Sequence, residues 1–154
     1  MTNEELLKSL ETSAGADDWP AALTLVMAQF GADSGTVHLM GADGVLHLKT
    51  ASARIPPVVL EKVRIVPVGK GMAGLAAERK VPVSVCNIQT DQSGDVRAGA
   101  RATGLEGAIA LPMLTADDEV AGVLGVANRA ERTFTADETA ALLTIGRTLA
   151  RFAS

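Results

Sequence analysis

Apolar residues recur at helical spacing near the start of the chain. A first helix is predicted by apolar positions every three or four residues, at Leu6, Leu7, Leu10 and Ala14. Thr2 and Glu5 fit a capping box, in which the threonine hydroxyl and the glutamate satisfy free amides at the start of a helix. A second helix is predicted by an apolar stripe that follows Asp17 and Asp18 and begins at Trp19, with Pro20 in its first turn and Gly31 at its end.

The end of the chain carries a third helical pattern. Thr135 and Glu138 fit another capping box. Apolar residues then follow at spacings of three, four and three, as in the a/d seam of a coiled coil: Leu142, Ile145, Leu149 and Phe152. Part of this seam must be buried against the rest of the domain. The remaining apolar positions, with those of the first helix, predict a homodimer interface.

Two pairs of apolar runs predict β-hairpins. Thr36–Met40 and Val45–Ala51 flank the turn sequence Gly41-Ala42-Asp43-Gly44, and Gly107–Leu114 and Val120–Asn128 flank a second short loop. Pro112 lacks an amide donor, so it is expected at a bulge or a position without a ladder bond.

The register predicted for the first hairpin places its two histidines side by side. A four-residue loop gives the pairs Met40 with Val45, His38 with His47, and Thr36 with Lys49, all on one face. The opposite face is apolar and is predicted to be buried against helices; it carries Val37, Leu39, Leu46 and Leu48.

The centre of the chain, residues 63–88, has the sequence VRIVPVGKGMAGLAAERKVPVSVCNI. It predicts a short strand, a glycine turn, a short helix over 72–79 and a second strand over 81–88. The first amides of that helix lack intrahelical partners and favour an anion. Residues 69–74 also match G-x-G-x-x-G, with Asp91 downstream, but the helix is too short for the crossover of a dinucleotide-binding fold.

The next segment, 89–105, has little apolar periodicity. It is predicted to be a long loop with at most a short helix around residues 95–102. Arg97 and Arg101 are four residues apart and would share a helical face, where they could clamp an anionic ligand beside Asp91 and Asp95. The alternative is a solvated loop whose charges pair with one another.

Taken together, the elements predict an α+β fold. An antiparallel sheet of five or six strands is expected, with the terminal helices on one face and the short helix and loops over the other. The 154 residues suit a single domain, 1–154.

The amino-acid composition excludes several classes of function. Apolar residues make up 47% of the chain and charged residues 21%, which is typical of a folded domain. The net charge of −4 and the absence of a Lys/Arg cluster argue against a nucleic-acid partner. No signal peptide or membrane-spanning run is present, so a cytoplasmic protein is expected, and nothing in the sequence requires a cofactor or metal.

Three side chains invite a chemical role. As a cross-strand pair, His38 and His47 could hold a metal or haem iron. Two imidazoles alone make an incomplete metal site, so we favour the interpretation that both histidines are polar residues that line a pocket. Cys86 is the only cysteine, which excludes an intramolecular disulfide. It is interpreted as a small buried apolar residue rather than as a redox residue.

The central stretch resembles the middle signature of GAF domains, small sensory modules of signalling proteins. In that signature an apolar strand precedes G-x-G-[ML]-[AS]-G, a short helix and a Pro-led strand. Further on, GAIALPMLTADDEVAGVLGVANRAERTFTADETAALLTIGRTLA resembles the closing hairpin of the family, its Asn-[Lys/Arg] step and its capped last helix. The resemblance covers residues 17–152.

The chain also departs from particular members of that family. Many carry an aspartate where this sequence has Cys86 or Asn87. The Phe and Asp-Glu of cyclic-nucleotide-binding members are matched one residue short by Phe134 and Asp137-Glu138, so that ligand is not implied. GAF-type free methionine sulfoxide reductases need a resolving cysteine, and bilin-binding members need a histidine after the cysteine; both are missing.

The resemblance implies a sensory or regulatory module that binds a small molecule and signals through its terminal helices, as a homodimer or to a signalling partner. The predicted pocket residues are His38, His47, Gly71, Met72, Val85, Cys86, Asp91, Arg97, Arg101 and Ala110. Two alternatives stay open: a redox enzyme that uses Cys86 or the histidines, and a ligand-free dimerisation module. In the second, Met72, Val85 and Met113 would fill the pocket.

Overall fold

A computed structural model of the chain describes residues 1–91, 93 and 103–153. Its helices are α1 (Asn3–Gly15), α2 (Trp19–Phe30), α3 (Pro57–Val63), α4 (Gly71–Arg79) and α5 (Ala136–Ala150). Its strands are β1 (Ser34–Met40), β2 (Leu46–Ala51), β3 (Ile65–Val66), β4 (Val83–Val85), β5 (Gly107–Leu114) and β6 (Val120–Asn128). The short helix predicted around 95–102 lies outside the described residues.

The six described strands form one antiparallel sheet in the order β3-β2-β1-β6-β5-β4. The two hairpins therefore meet at β1 and β6 in the middle of the sheet, and the short strands β3 and β4 form its edges. This architecture confirms the predicted α+β fold.

The two faces of the sheet are covered by different helices. The main core packs α1, α2 and α5 against the larger alternate side chains of the central strands, namely Val37, Ile109, Leu111, Met113, Leu124 and Val126. The opposite face packs against α4 through a second, smaller apolar cluster, to which Val66 of the edge strand β3 contributes. Neighbouring strand residues point to opposite faces, so each central strand serves both layers.

The predicted caps fix the ends of the long helices. The hydroxyl of Thr2 accepts from the amide of Glu5 at 3.1 Å, and Thr135 and Glu138 form a complete capping box at the start of α5. Gly31 ends α2 in the left-handed conformation, with φ 61°. The seam residues Leu142, Ile145 and Leu149 are no more than 2% exposed, so they belong to the core of the domain.

The predicted register of the first hairpin is wrong by one residue. Met40 pairs with Leu46, and His38 pairs with Leu48 rather than with His47. The loop holds three residues instead of four, because Gly44 adopts φ 78° and lets Val45 accept from the amide of Gly41 at 2.8 Å. A one-residue slip moves every side chain of a strand to the other face.

The strands around α4 are shorter than predicted. The first keeps only Ile65–Val66, and the second runs over Val83–Val85 instead of reaching from 81 to 88. Lys80 ends α4 with φ 57°, and Pro82 has no amide to donate, so ladder pairing begins only at Val83.

A cavity between the sheet and helices α3 and α4

A cavity of about 420 Å³ lies on the sheet face that carries α3 and α4. Its walls come from the ends of the two helices and its floor from β1, β5 and β6. The side-chain and backbone atoms that line it are predominantly apolar, and no acidic residue of the described chain is among them. Its volume falls in the range of natural small-molecule sites.

The cavity exists because small residues occupy its floor. Ala108 and Ala110 on β5 lie opposite Ala127 and Gly125 on β6, and all four line the cavity. The residues between them are large and point into the main core on the other face. The alternation of small and large residues therefore leaves space on one side of the sheet while it fills the other.

His38 is one of two buried polar residues that line this cavity in the described chain, the other being Ser34. It is only 3% exposed, and its Nε2 lies 2.7 Å from the carbonyl oxygen of Val63 at the end of α3. A carbonyl only accepts, so Nε2 carries the proton and Nδ1 presents a lone pair. No donor among the described residues reaches Nδ1, which has almost no accessible surface and is therefore a buried acceptor without a described partner.

Burial lowers the pKa of His38, and the hydrogen bond to Val63 offsets only part of this effect. The imidazole is therefore neutral in the folded protein at neutral pH, which suits the tautomer with a free Nδ1 acceptor.

The lowered pKa of His38 predicts that mild acid destabilises the protein. Below the ordinary histidine pKa of about 6.5 the unfolded chain binds a proton that the folded chain refuses, so stability falls with pH in that window by up to about 1.4 kcal/mol per pH unit. Denaturant unfolding at pH 7.5 and 5.5 measures the loss. The His38→Gln variant should lose less stability than the wild type over this interval; equal losses would contradict the assignment.

The start of α4 forms another polar part of the wall. Gly71, Met72 and Ala73 line the cavity, and none of their amides donates a hydrogen bond to a described residue. Gly71 has φ 67°, which favours glycine at this turn, and the preceding Lys70 provides no side-chain cap. Free amides at the positive end of a helix dipole attract negative charge.

The family model of the GAF domain matches residues 21–152, most of the chain. The protein belongs to the GAF domain family. The predicted resemblance is thus confirmed, and the fold agrees with it. A comparison with the curated proteins finds no match.

Solved structures share the GAF fold at low sequence identity. The GAF domain of an Acinetobacter phosphoenolpyruvate-protein phosphotransferase superposes with a TM-score of 0.77 at 17% identity, over 99% of this chain and 94% of that one. A free methionine-R-sulfoxide reductase from Neisseria meningitidis, solved with its substrate, gives 0.74 at 20% identity, over 97% and 87%. A putative two-component sensor histidine kinase domain from Sinorhizobium meliloti gives 0.69 at 16%, over 88% of each chain.

The GAF domain brings together four of the ten predicted pocket residues. His38, Gly71, Met72 and Ala110 line the cavity. Arg97 and Arg101 lie outside the described residues.

His47 is not a partner of His38. It lies opposite Leu39, on the other face of the hairpin, and its Nε2 contacts Asp43 Oδ2 at 2.8 Å. The hypothesis of a cross-strand histidine metal site is therefore wrong. No group of three or more metal-binding side chains occurs in the described part of the chain.

The other three predicted residues do not contribute to the cavity wall. Val85 packs with Ile88 and Ala108 in a small apolar cluster. The next residue, Cys86, is exposed, so the expectation of a buried cysteine is wrong. Asp91 accepts from the hydroxyl and the amide of Ser93. Met113 packs in the main core with α1, α2 and α5, on the face opposite the cavity, so it cannot fill the cavity.

Sequence reasoning missed most of the floor and the two lysines of the rim. Thr36, Gly125 and Ala108 belong to the floor, and Lys62 and Lys70 are exposed where the cavity opens. The alternation of small and large residues in GAIAL and LGVA was the available signal.

Within the described ranges, no helix combines the length and apolar character needed to cross a membrane.

Proposed function

We propose that this GAF domain is a sensory module that binds a small, largely apolar molecule in the cavity. The observation that carries the proposal is a predominantly apolar space of about 420 Å³ between the sheet and helices α3 and α4. A ligand that buries apolar surface in this space would gain the free energy of its removal from water. The proposal keeps the predicted cytoplasmic location.

The proposed route from the cavity to the terminal helices runs through β5. Ala108 and Ala110 face the cavity, whereas Ile109 and Leu111 on the same strand pack in the helical core. Helix α5 lies close to β5, since a Cβ at Gly146 would come within 3.1 Å of the Pro112 carbonyl oxygen. A ligand that binds two arrangements of β5 with different affinity would therefore shift the position of α5.

Binding is proposed in preference to catalysis. Free methionine-R-sulfoxide reductases have the same fold, but likeness at this identity supports the fold alone. Cys86, the only cysteine of the chain, does not line the cavity.

A homodimer, or a complex with a signalling partner, remains part of the proposal. Since the seam residues of α5 are buried in the domain, such an interface would use the outward faces of α1 and α5. Analytical ultracentrifugation of the purified protein over a range of concentrations tests self-association. A monomer at all concentrations would exclude the proposed homodimer.

A thermal-shift screen tests ligand binding. Nucleotides, amino acids and small organic acids and alcohols are added to the purified protein, and native mass spectrometry detects bound molecules. A ligand present at a hundred times its Kd should raise Tm by about 5–10 °C. If no compound raises Tm or co-purifies, the sensory proposal fails.

A further inference from the structure

We propose that residues 53–64 form a strap over the cavity, that His38 holds this strap closed, and that uptake of a proton by His38 opens it. The strap comprises the linker after β2, helix α3 and Arg64. The inference rests on the proposed function, because it adds a pH-sensitive entrance to the same cavity. Three observations carry it: the few contacts that hold the strap, the turn at which it begins, and the burial of His38 Nδ1.

The strap has few contacts with the rest of the protein. Four of its residues line the cavity: Ile55, Val59, Lys62 and Val63. Val59 is the one buried residue of α3. Within the described chain, hydrogen bonds from other elements reach the strap only at its last two residues, where Val63 accepts from His38 and Arg64 accepts from the amide of Leu48. A segment with so little buried apolar surface and so few hydrogen bonds opens at a lower free energy than the core.

The strap begins at a turn that favours movement. The hydroxyl of Ser52 accepts from the amide of Gly35 at 2.9 Å, so the chain is fixed to β1 up to this point. Two residues later Arg54 has φ 76°, a left-handed conformation that is unfavourable for a residue with a side chain. The start of α3 has no side-chain cap at Pro56. Ser52 and Arg64 are therefore the two fixed points between which the strap can move.

The imidazole of His38 makes the closed position sensitive to protons. Its Nε2 donates to the carbonyl oxygen of Val63 at 2.7 Å, and its Nδ1 has almost no accessible surface and no partner among the described residues. A proton on Nδ1 would create a buried, unpaired, charged donor, which is costly. The ring can carry this proton only where water reaches it, so either the ring or the strap must move. Both movements break the hydrogen bond to Val63.

No acidic group of the described chain lines the cavity beside His38 to stabilise its charged form. Its cross-strand neighbours on β2 and β6 are apolar, and the charged residues that line the same cavity, Lys62 and Lys70, are both cationic. The charged or titratable residues of the surrounding elements that do not line the cavity are Glu61 and Arg64 on the strap, His47 and Lys49 on β2, and Glu78 and Arg79 on α4. The closed state therefore disfavours the imidazolium, in agreement with the pKa of His38, which burial lowers.

Hydrogen exchange of the ligand-free full chain tests the strap, and its result is independent of the screen that tests the proposed function. Amides 59–63 should exchange at least about a hundredfold faster than those of the central strands, because the strap opens without global unfolding. After correction for the intrinsic exchange rate, the strap should open up to about tenfold more often at pH 5.5 than at pH 7.5. The reason is that only the open state titrates with the ordinary histidine pKa of about 6.5.

Two matched variants assign this response to one histidine. His38→Gln cannot titrate, so the pH response of the strap should disappear. His47→Gln removes the only other histidine of the chain, which lies on the opposite face of the hairpin, and should keep the response. Equal opening of the wild type at both pH values, a response that persists in His38→Gln, or strap amides as slow as those of the central strands would overturn the inference. The wild type and His47→Gln decide the question even if His38→Gln does not fold.

Thiol labelling tests whether the strap controls entry to the cavity. In a Cys86→Ser background, Ala110→Cys places the only thiol on the cavity floor, and Ala22→Cys places it in the main core. Val59→Ala removes two buried methyl groups from the strap, so dithiodipyridine should modify the floor thiol about tenfold faster. This rate should depend little on urea below the unfolding transition, whereas the core thiol, which reacts only after global unfolding, should depend on urea steeply.

Two results of the labelling would show that the strap is not the entrance. One is an unchanged rate for the floor thiol in Val59→Ala, and the other is a dependence on urea as steep as that of the core thiol. Either result leaves the proposed function standing, because no ligand is used. A thermal-shift screen that finds no ligand removes the proposed function, while the exchange and labelling measurements decide on the strap separately.

Discussion

Replacing Arg132 with alanine is expected to lower the free energy of unfolding by about 3 kcal/mol. Its guanidinium donates to the carbonyl of Phe30 at 2.6 Å, to Asn128 Oδ1 at 2.9 Å and to Glu138 Oε2 at 2.6 Å. It also lies over the ring of Phe134, 4.3 Å from the centroid. One side chain thus joins the end of α2, the end of β6 and the first turn of α5, and its loss leaves several polar groups unpaired.

Two variants separate this role from that of an ordinary surface arginine. Arg132→Lys keeps the charge but loses the planar fork, so it should cost about 1–2 kcal/mol. Arg147→Ala removes an exposed arginine that bonds to Asp118 at 2.9 Å, and should cost at most about 1 kcal/mol. Chemical denaturation of the three variants and the wild type gives their free energies of unfolding. Equal losses for Arg132→Ala and Arg147→Ala would show that the hydrogen bonds of Arg132 stabilise the protein no more than those of an exposed arginine.

The network around Arg132 could be predicted only in part. The capping box of Thr135 and Glu138 is a local pattern, and the sequence predicted it. The bonds from Arg132 to Phe30 and Asn128 depend on how α2 and β6 meet in space, which a local pattern does not contain. The segment between β6 and α5 therefore has no distinctive sequence pattern, although its Arg132 joins three elements.

The fold was largely predictable because its signals are periodic and local. Both long hairpins, the capped terminal helices and the glycine at the end of α2 were expected from spacing and turn chemistry, and the residue bounds of β5 and β6 agree with the prediction. The first hairpin shows the limit of this approach. Whether its loop holds three or four residues depends on the left-handed conformation of Gly44, and that single choice decided the position of His47.

The cavity was harder to predict because it is defined by missing volume. Glycine residues in a strand normally indicate a bulge or weak pairing, so Gly125 carried no functional signal in isolation. Its role becomes clear only when β5 and β6 are paired and Ala110 lies opposite to it. The polar rim likewise depends on α3 and α4 meeting over the same part of the sheet.

Replacing Gly125 with valine is expected to weaken ligand binding by at least about a hundredfold while the protein remains folded. A Cβ at this position would lie 3.1 Å from Thr36 Oγ1 and 3.9 Å from the Ile109 carbonyl oxygen, close but without a severe clash. The valine methyl groups would then occupy the floor of the cavity. Valine also favours a strand more than glycine by up to about 1 kcal/mol, which offsets the tight contact with Thr36.

A graded series makes this prediction specific to cavity volume. Gly125→Ala adds one methyl group and should weaken binding less than Gly125→Val, and Ala108→Leu should block the same space from the neighbouring strand. Ser84→Val adds a β-branched residue to an exposed position of β4 outside the cavity, and should leave binding unchanged. Calorimetric titration with any ligand found in the screen measures the series. If Gly125→Val is folded, by its cooperative unfolding, and binds as tightly as the wild type, the ligand occupies another part of the molecule.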